Sequence, residues 1–311
     1  MAGFLTHYLI GMEARETMSD NYIRQVMRGQ NHAFLIGLQG FHLFSFDPHS
    51  LSKRGLSYRT ATVTQQNQEF ASLFDNMIDY TLKQQGQERE VCIAYAAGFL
   101  CYFAADQAMT PYIHFRTWQD LPVKCSPRRA ASHRKEVETV IDTVLLRSHC
   151  HMEPSQLNFE ALTFASKKDL TTIGRMMRYA FLSTFKSKVS PSEITNGLKN
   201  ARRQNIHLNS DAHFRRLWLH ALEKYVPISG SRRKIYEDFL PDDHDFMNTA
   251  CAVWYPYPGS PDPQRSSVEE IYNMSLHSCR DFLDDLDTCF SWGMDREDLI
   301  KSIIRYEPFS L

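Results

Sequence analysis

Net charge is nearly absent from this chain. Lys plus Arg number 35 against 36 Asp plus Glu, leaving a formal charge of −1. That balance argues against a nucleic-acid binder driven by bulk positive charge, so no nucleic-acid partner is expected; a local basic patch stays open. A secretory leader is not visible either: residues 1–10 carry no basic n-region, and Thr6 and His7 interrupt the apolar run. The seven cysteines, Cys92, Cys101, Cys125, Cys150, Cys251, Cys279 and Cys289, are odd in number and form no C-x-x-C pair. They read as reduced thiols of a cytosolic protein, used mostly as small hydrophobes, and a cytoplasmic location is expected. Strand signals are weak, and no internal repeat or low-complexity tract stands out. Walker, G-x-G-x-x-G, H-E-x-x-H and G-x-S-x-G motifs are all lacking.

Long apolar stretches are scarce too. The longest uncharged one, residues 91–105, is shorter than the ~20 residues a membrane span needs, so no transmembrane segment is expected. A run of this length, apolar on every side, reads as a helix buried in the middle of a protein.

What is present is ordinary globular material: 311 residues, 43% apolar and 23% charged. That is enough for a large core, and one all-α domain spanning residues 1–311 is the expectation. Several helix starts are legible. Ser190-Pro191-Ser192-Glu193 is a capping box with proline at the first helical position. Ser267 and Glu270 form another, ahead of Ile271, Met274, Phe282 and Leu286. Asp169 is placed to cap a helix through Ile173, Met176, Met177 and Phe181. Further helices are expected near residues 62–83, 131–146, 212–225 and 295–304. Loops are expected at residues 46–55, 227–245 and 255–263; the aromatic content of the last favours a packed loop over a linker.

Three places carry candidate chemistry. The first is Asp106, a single acid that closes the apolar run. A carboxylate buried there must be paired, protonated or metal-bound, although composition alone favours an acid marking where the helix reaches water. The second is His7, alone on the apolar segment 3–10, a setting in which hydrogen-bonded core histidines outnumber metal ligands. The third is the segment 132–142, where Glu138 and Asp142 stand four apart on one helix face; a solvated charged face is the simpler account. His149-Cys150-His151 looks like a ligand cluster but is a weak signal, and His207, His213, His220 and His277 are scattered.

Taken in order, these places resemble the zinc-dependent phospholipase C family, whose helical fold is shared with the P1-type nucleases. Thr6-His7-Tyr8-Leu9 resembles that family's first helix with its metal-binding histidine. Gly37-Leu38-Gln39-Gly40-Phe41-His42 resembles its G-x-Q-G-P-D turn. Residues 98–106, followed by Thr110-Pro111-Tyr112-Ile113, resemble its G-F-x-x-H-Y-x-x-D…H-P-Y-I helix. Residues 132–142 resemble its H-x-x-x-E-x-x-x-D helix, and Asp245-Phe246-Met247-Asn248 with Trp254 and Pro256 its D-x-L-N…W-x-x-P segment. The helix after Ser267 is similar to its closing helix.

The resemblance implies the phospholipase C/P1 nuclease architecture, with a cluster of up to three zinc ions that activate a water and polarise a phosphodiester. Carried over by position, His7, Asp106 and Glu138 are implied metal ligands; His42, standing at the family's aspartate, and His133, one place from a family histidine, complete the candidate set. Tyr102 and Thr110 stand where the family has histidines, and Arg134 stands four before Glu138 where another is expected. A phenol and a threonine hydroxyl are poor zinc ligands, and arginine is none. Arg134 is instead suited to pair with Asp106 or Glu138 in place of a metal.

Three readings follow from this pattern. The leading one is a divergent family member with an eroded trinuclear zinc site, retaining a pocket for a lipid or phosphate-containing small molecule. The second is a phosphodiester hydrolase with one or two zinc ions held by His7, His42, Asp106, His133 and Glu138. The third is metal-free acid–base chemistry by Tyr102, Asp106 and His133.

Overall fold

The computed structural model describes residues 2–41, 63–119, 121, 124–186, 196, 245–291 and 296–309. These residues are predominantly helical. In chain order they form α1 (Phe4–Thr17), α2 (Tyr22–Gly29), α3 (Asn31–Gly37), α4 (Val63–Leu82), α5 (Gly86–Gln119), α6 (Pro127–Cys150), α7 (Phe159–Leu162), α8 (Lys167–Phe185), α9 (Val268–Ser291) and α10 (Arg296–Arg305), with a 3₁₀ turn at Pro154–Gln156. Among the described residues the one extended pairing is an isolated bridge between Trp254 and Gln264. The all-α class is as expected.

The organising element is α5. Its residues from Val91 to Met109 are all buried. Alanine recurs at 94, 96, 97, 104, 105 and 108, supplying helix propensity and thin walls against which neighbours approach closely. Helices α1, α2, α3, α4, α6, α8 and α9 all pack against it. The helix is long and apolar enough to cross a membrane by length and composition, and its apolar window is wholly buried by the rest of the protein.

The expectation that α5 closes at Asp106 is corrected. The helix continues through Pro111 to Gln119, and Asp106, only 5% exposed, lies inside it rather than where it meets water. Proline at 111 removes one backbone donor, yet the helix persists because Tyr112 and Ile113 remain in the core.

The approach of α3 to α5 is set by two glycines. A Cβ at Gly98 would fall 2.2 Å from the Phe34 carbonyl oxygen, and one at Gly37 would fall 2.3 Å from that of Tyr95. Backbone meets backbone there, so no side chain can yield to make room.

Other starts and stops follow local chemistry. Ser267 and Glu270 form the expected capping box of α9: the Ser267 amide donates to Glu270 Oε2 at 2.8 Å and the Glu270 amide to Ser267 Oγ at 3.2 Å. The start of α8 differs from expectation. Ser166 is the cap, its hydroxyl accepting from the Asp169 amide at 3.0 Å, while Asp169 sits in the first turn. Helix α6 is longer than expected because Ser126 caps it and Pro127 opens it. The 255–263 loop is anchored by buried Trp254, whose ring packs on Tyr112 and Phe309. The Ser190 capping box, the 212–225 helix, the 46–55 loop and all but the last residue of the 227–245 loop lie outside the described residues.

Replacing Gly98 by Ala should destabilise the protein by about 2–3 kcal/mol. Gly29→Ala at the end of α2, where an added Cβ meets nothing, should stay within about 1 kcal/mol of wild type. Chemical denaturation of both variants checks this, and equal stability of the two would refute the backbone contact.

Candidate functional site

The sequence-selected residues converge where α1, α5 and α6 meet. The start of α1 is held first. Gly3, its N-cap, offers no side chain to the first amides, and Asp142 of α6 does so from across the fold. Its carboxylate accepts from the amides of Leu5 at 3.0 Å and Thr6 at 2.8 Å, and from the Thr6 hydroxyl at 2.6 Å. Negative charge there also complements the positive end of α1. Glycine is required at 3 because a Cβ would sit 2.3 Å from both Asp142 oxygens.

This anchoring places His7 opposite α5. His7 is fully buried and its Nδ1 lies 2.8 Å from the Gly3 carbonyl. A carbonyl only accepts, so Nδ1 carries the proton and Nε2 is the lone-pair nitrogen. Burial pulls the imidazole below its usual pKa, against the raising effects of Asp106 and the Gly3 bond, so the ring is neutral near pH 7. Nε2 faces Asp106 Oδ1 at 3.9 Å, too long for a direct hydrogen bond.

Asp106 Oδ1 accepts from the Ala2 amide at 2.9 Å and from the Thr110 hydroxyl, one turn along α5, at 2.9 Å. Thr110 therefore serves Asp106 as a donor. Tyr102, the other residue standing at a family histidine position, stacks its ring on His7 with centroids 4.8 Å apart. It is fully buried against Phe41, Phe99 and the backbone of Gly40, whose positive φ of +48° and lack of a side chain admit the ring.

On α6, Arg134 Nε donates to Glu138 Oε1 at 2.9 Å. Burial pushes the Glu138 carboxyl up to about 7, opposed by Arg134 and reinforced by the Asp106 charge. The two carboxylates thus sense each other across the α5–α6 contact. The expectation that Arg134 pairs with Asp106 or Glu138 resolves in favour of Glu138. Arg134 Nη2 is buried without a hydrogen-bond partner among the described residues.

His133 turns to its own helix, with Nδ1 3.1 Å from Glu136 Oε2. His42 lies outside the described residues. The structure therefore brings His7, Tyr102, Asp106 and Glu138 to one junction, adds Arg134 beside Glu138, and gives His133 a partner elsewhere. No group of three or more His, Cys, Asp and Glu that could hold a metal occurs among the described residues. His7 and Asp106 together supply two donors, fewer than the three protein ligands of a catalytic zinc. The Ala2 amide escaped sequence reasoning because a backbone donor has no sequence signature.

A second polar joint lies farther along the same helices. His149 places Nδ1 3.3 Å from Glu13 Oε2 and Nε2 2.8 Å from Glu269 Oε1. Tyr272 packs against its ring at 4.1 Å and donates to Glu13 at 2.8 Å. The His149-Cys150-His151 run is thus an inter-helix joint at His149 and a left-handed C-cap at His151. Compared with known proteins, the chain matches no family model, no curated protein and no solved structure.

Glu138 gives a pH signature. Its carboxyl is raised in the folded state from 4.5 to about 7, so the folded protein holds that proton more tightly than the unfolded chain. Its contribution is fully present below about pH 4.5 and is lost as pH rises through about 7, a change of about 3 kcal/mol. Stability measured for wild type relative to Glu138→Gln should fall across that window. Parallel stability profiles for the two proteins would refute the assignment.

Proposed function

We propose that this chain is a divergent protein of the zinc-dependent phospholipase C type whose trinuclear metal site is eroded. On this reading it binds a lipid headgroup or another phosphate-containing small molecule without efficient phosphodiester hydrolysis. The observation that carries it is Arg134. At the position where the family motif sets a histidine, a guanidinium uses Nε on Glu138 and keeps a buried Nη2 without a partner among the described residues. Guanidinium forks match phosphate geometry, and arginine is the side chain of choice for that task. Asp106 is engaged by Ala2 and Thr110, which supports a site that manages its charge with internal donors.

The His7–Asp106 pair favours a second reading, a hydrolase with one or two zinc ions. A metal-ligating histidine commonly fixes its tautomer by donating its other ring nitrogen to a carbonyl, as His7 does to Gly3. Such an ion would take His7 Nε2 and Asp106 and would need at least one further ligand.

Two measurements separate these readings. Titration calorimetry with phosphocholine and with inorganic phosphate should show saturable binding that Arg134→Ala weakens at least about tenfold, and that Arg134→Lys restores only in part. Elemental analysis of protein purified without chelator should find substoichiometric zinc. About three zinc ions per chain would overturn the eroded-site reading. One or two ions lost in Asp106→Ala, together with phosphodiesterase turnover, would establish the second.

A further inference from the structure

The segment around the 255–263 loop turns one ring inward and others outward. Trp254 is buried, with its indole against Tyr112 and Phe115 near the end of α5. Its backbone pairs with that of Gln264 in both directions, at 2.9 and 2.8 Å, and its Nε1 donates to the Ser266 carbonyl at 3.0 Å. Successive side chains of an extended segment point to opposite faces. With Trp254 turned inward, Val253 and Tyr255 are turned outward, at 39% and 44% exposure.

Tyr257 stands farther out, at 53% exposure. Pro256 and Pro258 restrict the backbone on either side of it. The Ser260 amide closes the turn by donating to the Tyr257 carbonyl at 3.1 Å, and Gly259 supplies the positive φ of +81° that such a turn takes. The loop therefore presents its rings on a stiff frame, which lowers the entropy lost when they are covered. Trp118 adds to the same end of the molecule. It is 47% exposed, with Nε1 bonded to His114 Nε2 at 3.1 Å. It stands three residues beyond Phe115, the α5 residue that meets Trp254, a spacing that makes neighbours on a helix surface.

Charge is missing from this stretch. The chain is 23% charged, yet residues 246–261 carry no charged side chain. Nothing in that run would draw it electrostatically to anionic lipid, and no charge has to be desolvated when it is covered. A stable protein interface takes about 20–30 residues a side, and a loop with one helix end is a small fraction of that. Tyr and Trp, by contrast, settle at the headgroup level of a bilayer, with the ring in the apolar layer and the polar atom toward water.

We propose that this loop, together with Trp118, is a docking surface for a zwitterionic lipid bilayer. Val253, Tyr255, Tyr257 and Trp118 would enter the interface, and their buried apolar area would supply the binding. Trp118 lies twelve residues along α5 from Asp106, about 18 Å at the rise of an α-helix. The surface is thus separate from the α1–α5–α6 junction and does not rest on the function proposed for it.

Flotation of the full-length chain with phosphatidylcholine vesicles tests this. Wild type should rise with the vesicles, and neither added phosphatidylserine nor high salt should change the bound fraction. Tyr255→Ser, Tyr257→Ser and Trp118→Ser, all at exposed positions, should each weaken partitioning about three- to tenfold. Leu182→Ser on α8, at a comparable 42% exposure, should float as wild type does. Arg134→Ala should also float normally, so failure here and failure of the proposed function are told apart. Wild type that stays free of the vesicles would overturn the proposal, as would loop variants that float like wild type. Self-association abolished by the same substitutions, without vesicle binding, would make the surface a protein contact and overturn the lipid assignment. Binding that requires phosphatidylserine and disappears in high salt would overturn the assignment to a zwitterionic surface.

Discussion

A carboxylate that enters a closed apolar helix has to be met by donors, and the architecture is arranged around that constraint. Asp106 stands inside a helix whose neighbours cover it on all sides. An uncompensated charge in that setting is destabilising by several kcal/mol. Two elements supply the answer: the Ala2 amide before α1 and the Thr110 hydroxyl of α5 itself bind Asp106, and His7 of α1 faces it. The same device recurs twice. Asp142 of α6 closes the amides of Leu5 and Thr6, and Asp287 of α9 accepts from the Ile23 amide at the start of α2 at 2.9 Å. In all three, a long helix lends a buried acid to backbone donors that local sequence leaves unsatisfied.

This arrangement gives the junction its chemistry. Holding the start of α1 fixes the His7 ring against Tyr102 and leaves the lone pair of Nε2 directed at Asp106. It also brings a second carboxylate, Glu138, near enough to feel the first. Arg134 lowers the cost of that approach by pairing with Glu138 on its own helix. Metal sites solve the same electrostatic problem with a cation that several side chains share. Here a guanidinium bonds one of the two carboxylates and a backbone amide with a hydroxyl bonds the other.

The outer helices are locked by polar joints of a different kind. His149 spans Glu13 and Glu269, joining α1, α6 and α9. Arg15 reaches Asn31 and Glu16 across the start of the chain. The Asp79 carboxylate takes the Tyr179 hydroxyl and the Lys83 amine, with Arg296 near it, linking α4, α8 and α10. These joints lie at partly exposed edges, where individual ion pairs contribute little. Their effect is to fix which helix face meets which, while burial along α5 supplies most of the stability.

Much of the helical inventory was legible from local chemistry. The Ser267–Glu270 box, the apolar run of α5 and the periodic stretches of α4 and α10 all declare themselves through patterns that act within one or two turns. Local chemistry misplaced the end of α5, because Asp106 looks like a terminus until its partners are known. It also chose Asp169 over Ser166 as a cap, since both residues fit and only geometry decides between them. At the junction, sequence singled out His7, Tyr102, Asp106, Arg134 and Glu138. Which of them meet, and that the Ala2 amide serves Asp106, depended on segments about a hundred residues apart; the Thr110 bond is local, one turn along α5. Helix formation is a short-range property and can be read from neighbours along the chain. The state of a buried charge is set by whatever the fold brings within about 3 Å of it, and only the tertiary structure decides that.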